Sequence, residues 1–188
     1  MPASPVIAQT PRLTLSLLTL EDAPFILQLV NDAQWLAFIG DKGVRTLYDA
    51  RAYLRDGPLT MYAQHGHGLY RVALRDSGNK GDRSAGPPVG ICGLVRRAGL
   101  DDADIGFALP PAHRGQGYAL EAARAVLEHG FGALDLPRIV AITLPHNAPS
   151  RRLLEGLGMN LQRTLHLPAD GPEKLLYALE RPAGAAPG

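Results

Sequence analysis

Cysteine is nearly absent from this 188-residue sequence. The one example, Cys92, has no partner for a disulfide within the chain. Such usage fits a reducing compartment, so a cytoplasmic location is expected. Cys92 lies in the apolar run Val89-Gly90-Ile91-Cys92-Gly93-Leu94-Val95 and reads as a buried strand residue rather than a nucleophile. Aromatic residues are scarce at 6%, too few for a base-stacking surface. The formal net charge is only +1, so no overall field draws the chain to nucleic acid or membrane. No stretch approaches the ~18 apolar residues of a membrane span. The opening MPASPVIAQT also lacks the basic start and apolar run of a signal peptide. Neither nucleic acid nor membrane is therefore an expected partner. What the chain does have is 46% hydrophobic and 20% charged residues, a globular balance in a length that suits one domain.

Apolar periodicity divides the chain into elements. Leu13 to Leu18 reads as a first strand. Thr19-Leu20-Glu21-Asp22 has the pattern of a capping box, and Phe25, Ile26, Leu29 and Val30 follow at helical spacing, with Pro24 confined to the first turn. A second helix is predicted over Leu47 to Arg55, ended by Asp56-Gly57-Pro58. Strands follow at Leu69 to Arg75 and Val89 to Arg96, joined by the polar segment Asp76 to Pro88, which reads as a long mobile hairpin loop. A further strand, Ala103 to Leu109, is stopped by Pro110-Pro111.

The strongest helical pattern runs from Tyr118 to Leu134, with Leu120, Ala123, Leu127, Phe131 and Leu134 on one face. Ile139 to Leu144 is a buried-type strand. Pro149 opens another helix that ends near Gly158. Leu161 to Leu167 and Lys174 to Glu180 form a closing hairpin. The expected organisation is an N-terminal extension over 1–9, one domain over 10–180 and a disordered tail over 181–188. Hairpins mixed with helical crossovers predict an α/β (α+β) fold with a mixed sheet.

One loop carries a chemical signal. Arg114-Gly115-Gln116-Gly117 lies between a strand and the strongest helix. Two glycines one residue apart let the backbone turn tightly and approach a ligand. The first N–H groups of the helix have no internal partner, and with the helix dipole they favour an anion. Arg114 adds a charge-assisted donor. The spacing is not the G-x-G-x-x-G of a dinucleotide fold, and no Gly-Lys-Ser/Thr follows. By itself the loop reads either as a phosphate cradle or as a glycine turn that merely caps a helix.

In context the chain resembles the GNAT superfamily of acetyl-CoA-dependent N-acetyltransferases. Ala112-His113-Arg114-Gly115-Gln116-Gly117 is similar to that family's Gln/Arg-x-x-Gly-x-Gly/Ala loop, with Ala112 in place of Gln or Arg. Thr10 to Leu15 resembles the opening strand of the branch containing ribosomal-protein N-terminal alanine and serine acetyltransferases. Val89 to Leu94 and Asp104-Ile105-Gly106-Phe107-Ala108-Leu109 resemble its third and fourth strands. Asn147 to Met159 resembles its signature helix, with Met159 where Phe is usual. The resemblance implies a mixed, mostly antiparallel sheet of about seven strands flanked by helices. It implies acetyl-CoA as co-substrate, no metal, and a monomer or homodimer.

The same resemblance implies the site. Backbone groups of Phe107 and Leu109 would face pantetheine, and Arg114, Gly115, Gln116, Gly117, Tyr118 and Ala119 would hold the pyrophosphate. Asn147 would contact the cofactor, cap its helix, or do both. Asp104 would be the base that accepts the amine's proton through a water, or else a solvated member of the cluster Asp101-Asp102-Asp104. Ser150 would protonate the leaving thiolate or simply bond its own helix, because Leu154 stands where many relatives have Tyr. Trp35 would wall the acceptor pocket or pack. His65-Gly66-His67 reads as a pair of solvated or substrate-lining histidines rather than a metal site. The implied activity is direct acetyl transfer to a primary amine, either a peptide N-terminus or a small molecule. The rival is an acyl-CoA-binding or regulatory protein with little or no transferase activity.

Overall fold

The structure is a computed structural model that describes residues 4–75 and 86–182. Most of the predicted loop Asp76–Pro88 and of the tail 181–188 lies outside the described residues. Among the described residues eight strands form one sheet: β1 Val6–Gln9, β2 Leu13–Leu17, β3 Leu69–Leu74, β4 Pro88–Val95, β5 Ala103–Ala108, β6 Arg138–Thr143, β7 Asn160–His166 and β8 Glu173–Glu180. Their order is β1-β2-β3-β4-β5-β6-β8-β7. Every neighbouring pair is antiparallel except β5 with β6. The sequence leads to about seven strands; the eighth is β1, which pairs with β2. Four residues before a Pro11 turn are too short to show a period, and only the partner strand stabilises them.

Among the described residues six α-helices accompany the sheet: α1 Ala23–Val30, α2 Ala33–Phe38, α3 Leu47–Leu54, α4 Thr60–His65, α5 Tyr118–Phe131 and α6 Ala148–Gly156. The Thr19–Asp22 capping box is present and opens a single 3₁₀ turn that runs into α1, with Pro24 in its first turn. The second helix does not stop at Asp56-Gly57-Pro58. It passes through a π-helical turn, Arg55–Leu59, into α4. Pro58 has no N–H to give, and the Thr60 hydroxyl instead donates to the Arg55 carbonyl at 2.8 Å. That wider turn lets the helix continue over a proline. The short helix α2 also went unforeseen; Asp32 caps it by accepting from the N–H groups of Gln34 and Trp35.

Two layers cover the sheet. On one face α5 and α6 bury Ala122, Ala123, Val126, Phe131 and Leu154 against Leu13, Val72, Leu94 and Ile139. On the other, α1 and α3 bury Ile26, Leu29, Ala50 and Leu54 with Trp35 against Ile91. Strict alternation would put Val89 and Ile91 on one face. Instead Val89 joins the α5 side and Ile91 the α1 side. A register shift between Val72 and Ala73 inserts Val89 as an extra residue and resets the alternation. Cys92 is fully buried, as expected, and burial pushes its thiol well above the ordinary range.

His67 is buried, contrary to the expectation from its sequence. It is 4% exposed, and its Nδ1–H donates to the Leu94 carbonyl at 2.9 Å. It is neither solvated nor against the cleft described below. Burial lowers the pKa of His67, and burial followed by the nearby His67 lowers that of His129. Both folded values therefore lie below the unfolded value of about 6.5. Their stabilising contribution is present above that pH and is lost as pH falls from about 6.5 through the folded values. Thermal melts should be flat between pH 7 and 8 and decline toward pH 5. His67→Gln keeps a donor for Leu94 without the titration and should make that decline shallower.

Candidate active site

The site begins where β5 and β6 part. They pair only at Ala103↔Ile139 and Asp104↔Val140. Beyond Asp104, β5 keeps its partner β4 through Ala108 but has none on the β6 side among the described residues. The gap opens into a cleft of about 980 Å³ that runs through the sheet. Such a volume sits at the upper end for small-molecule sites and suits a long ligand or two ligands together. Asp104, Phe107, Leu109, Asn147, Ser150 and Trp35 all line it, as do Arg114, Gly115, Gly117, Tyr118 and Ala119 of the loop. Of the twelve predicted site residues, Gln116 alone does not line it; its side chain turns back to donate to the Ala112 carbonyl at 3.0 Å.

Asp104 stands at the fork and is not solvated: it is 1% exposed. One carboxylate oxygen accepts from the Ile142 N–H at 3.1 Å, just where the parallel ladder ends. The other accepts from Arg97 Nε at 2.8 Å and Nη2 at 2.7 Å. On the β5 side, where the ladder has ended, the carboxylate thus replaces a strand partner for Ile142, which keeps Leu176 of β8 on its other side. Burial raises its pKa, opposed by Arg97 and by the Ile142 N–H.

The glycine loop has the backbone that its sequence requires. Gly115 and Gly117 have φ of +73° and +78°, which L residues with side chains rarely adopt. Gly117 ends the loop as the N-cap of α5 without a side-chain cap. Among the described residues, the N–H groups of Gly115 to Leu120 have no protein acceptor. An anion at this point would satisfy several at once.

Arg114 is already engaged. It donates through Nε to the Leu109 carbonyl at 2.8 Å and ion-pairs through Nη2 with Asp32. Asp32 also accepts the α2 capping bonds. Its pKa falls although burial, the largest single influence, works the other way; the Arg114 hydrogen bond and charge lead the opposing effects. The arginine therefore ties the loop to α2 and shapes the mouth of the cleft.

Arg12 fixes the other side of the loop. It donates to the Gln116 carbonyl at 2.9 Å and to Glu121 through Nε at 2.6 Å, and it lies 4.7 Å from the centroid of the Tyr118 ring. Glu121 is held further by Thr10 Oγ1 at 2.6 Å and the Arg12 N–H at 3.0 Å. Arg12, Asp32 and Arg97 escaped the sequence reading. Their partners lie 109, 82 and 7 residues away, at spacings that no local pattern marks.

Asn147 accepts from the Ser150 N–H at 3.2 Å and so caps α6. Its carbonyl oxygen faces its helix, and its amide N–H₂ remains for a ligand. Leu154 is 1% exposed and contributes an apolar wall.

An α/β sheet that forks at one parallel pair, with unpaired helix N–H groups beside the fork, defines a protein that can hold a phosphate-bearing ligand across its sheet. Residues 12–160 match the Acetyltransferase (GNAT) domain family, and the chain belongs to that family. It is similar to an uncharacterized N-acetyltransferase, YnaD, of Bacillus subtilis (strain 168), with 28% identity over 159 residues that cover 80% of each protein. An acetyltransferase from Agrobacterium tumefaciens str. C58 superposes with a TM-score of 0.75 at 26% identity, covering 96% of both chains. RimL, a ribosomal alpha-N-protein acetyltransferase solved in complex with coenzyme A, has a TM-score of 0.73 at 17% identity and covers 94% of this chain and 98% of that one. At that identity RimL shares the fold alone. This chain is an acetyltransferase of mixed α/β architecture. No helix among the described residues is long and apolar enough to cross a membrane.

Proposed function

We propose that the protein transfers acetyl from acetyl-CoA directly to a primary amine. The observation that carries this reading is the meeting, in one cleft, of unpaired N–H groups at a helix N-terminus with a buried carboxylate at the fork of β5 and β6. The loop Gly115–Gly117 and the first turn of α5 would bind the pyrophosphate. The unpaired edge of β5 over Phe107 to Leu109 would hold the pantetheine arm and offer an N–H to the thioester oxygen. Asn147 would add an amide donor.

The amine nitrogen would form its bond to the acetyl carbon as the carbon–sulfur bond breaks. Asp104, through a water, would accept the proton that the amine loses; its raised pKa makes it a better base than an ordinary carboxylate. The Ser150 hydroxyl, on the cleft wall, would return a proton to the departing thiolate. No covalent enzyme intermediate is needed, because a thioester is already reactive.

Thiol release from acetyl-CoA across a broad panel of amines tests this. Amine-dependent release is expected. Binding of coenzyme A without amine-dependent release would replace the transferase with an acyl-CoA-binding protein, and absence of binding would end both readings.

A further inference from the structure

The charges around the acceptor end of the cleft are unbalanced. Asp104 and the phosphate loop stand at opposite ends of β5, and the four residues from Asp104 to Ala108 span about 13 Å. At the loop end the lining cation Arg114 is paired with Asp32, while Arg152, which lines the cleft from α6, has no acidic partner among the described residues. At the Asp104 end the cleft is lined by Lys42, Arg96 and Arg97. Arg97 takes the one carboxylate there, Asp104. Arg96 donates only to the Asp101 carbonyl, and Lys42 has no acidic partner among the described residues. Lys174, whose Nζ donates to the Leu167 carbonyl at 2.6 Å, adds a fourth positive charge nearby. Burial and the closeness of Arg97 and Lys42 hold its ammonium below the ordinary lysine range, while Asp104 pulls the other way. Both carboxylates that line the cleft, Asp32 and Asp104, are thus already paired. The same cleft is lined by the large apolar and aromatic side chains Trp35, Phe38, Tyr53 and Met61.

A polycationic acceptor would meet excess positive charge and no free carboxylate. An acceptor with an anionic group beside its amine would offset the surplus while its amine reaches Asp104. We infer that the acceptor is a small primary amine that carries a carboxylate close to the amine and an apolar or aromatic body, the chemistry of an amino acid, selected by Lys42 and Arg96 with Arg97. This rests on the transferase reading above and adds its substrate class. Selection by charge here costs the enzyme something, since a neighbouring carboxylate keeps the amine more firmly protonated. A preference for the acid over its amide would therefore run against intrinsic reactivity.

The test is thiol release from acetyl-CoA with the common amino acids, each beside its carboxamide. Spermidine, kanamycin and an acidic peptide blocked at its C-terminus complete the panel. For the best acceptor, kcat/KM for the acid should exceed that for the amide by at least about tenfold. In Lys42→Glu and Lys42→Glu/Arg96→Glu that ratio should fall toward one. Both side chains are exposed, and general damage to the fold would lower acid and amide alike and leave the ratio standing. Equal or better use of amides, or spermidine or kanamycin as best acceptor, overturns the proposal while the transferase stands. An acidic peptide as best acceptor overturns the amino-acid class and moves the anionic group to a peptide side chain. No release with any amine overturns the transferase reading and this inference with it.

Discussion

Gly117→Val should weaken coenzyme A binding by ~100-fold or more, equivalent to about 2.7 kcal/mol. Two effects add. The residue sits at φ +78°, where a β-branched side chain is strained by about 1–3 kcal/mol. A Cβ there would also lie 3.3 Å from Arg12 Nη2, so the guanidinium that ties the loop to Glu121 and Gln116 must give way. The loop can relieve the strain only by leaving the conformation that aligns its N–H groups. Calorimetry with coenzyme A measures the loss, and a melting temperature only a few degrees lower would show that the rest of the domain survives. Unchanged affinity would mean that the phosphates bind elsewhere. Gly115→Ala provides a graded comparison: its Cβ meets nothing within 4 Å, so only the positive φ of +73° opposes it. A smaller loss is expected there.

Asp104→Asn should lower kcat by ~100-fold or more, in line with removal of a general base, with a much smaller change in stability. Asparagine keeps a carbonyl oxygen to accept from the Ile142 N–H, so the fork between β5 and β6 stays held. Its new N–H₂ faces the donors of Arg97, which is 43% exposed and can turn to solvent. Asp104→Ala differs, because it leaves the Ile142 N–H, half-buried on the cleft wall, without its acceptor. Stranding a fully buried donor costs about 1–3 kcal/mol, so a loss near the low end of about 1 kcal/mol is expected for this half-buried one, and the half-exposed Arg97 adds little. Steady-state rates and thermal melts on both variants separate the roles. Loss of rate in Asn without loss of stability identifies the base. Loss of stability in both, with turnover in proportion to folded protein, would reduce Asp104 to a strut.

Much of this architecture is legible locally. The capping box at Thr19–Asp22, the period of α5 and the Pro149 start of α6 each rest on groups within a few residues of one another. Gly115 and Gly117 announce the loop because positive φ is a property of a single residue. The additional strand and two short helices were not legible. β1 needs the edge of β2, α2 needs Asp32 at its cap, and α4 follows a proline that would ordinarily end a helix. Val89 shows the same limit on a smaller scale, since a bulge opposite Val72 reverses the face that simple alternation assigns.

The sequence by itself determined the order of the longer elements, the glycine loop before a helix and the family that both resemble. These follow from backbone preference and short-range periodicity. The tertiary structure alone decided where the charged groups find their partners. Asp104 could be read as a solvated member of its acidic cluster until its burial at the fork, against Ile142 and Arg97, appeared. Arg114 reads from the sequence as a donor to phosphate, and the structure adds its ion pair with Asp32, far away in sequence. Charges act across space, so their partners are fixed only when the sheet brings distant residues to within a few ångströms. The surplus of positive charge around Lys42 is likewise a property of that assembly, in a chain whose net charge is only +1.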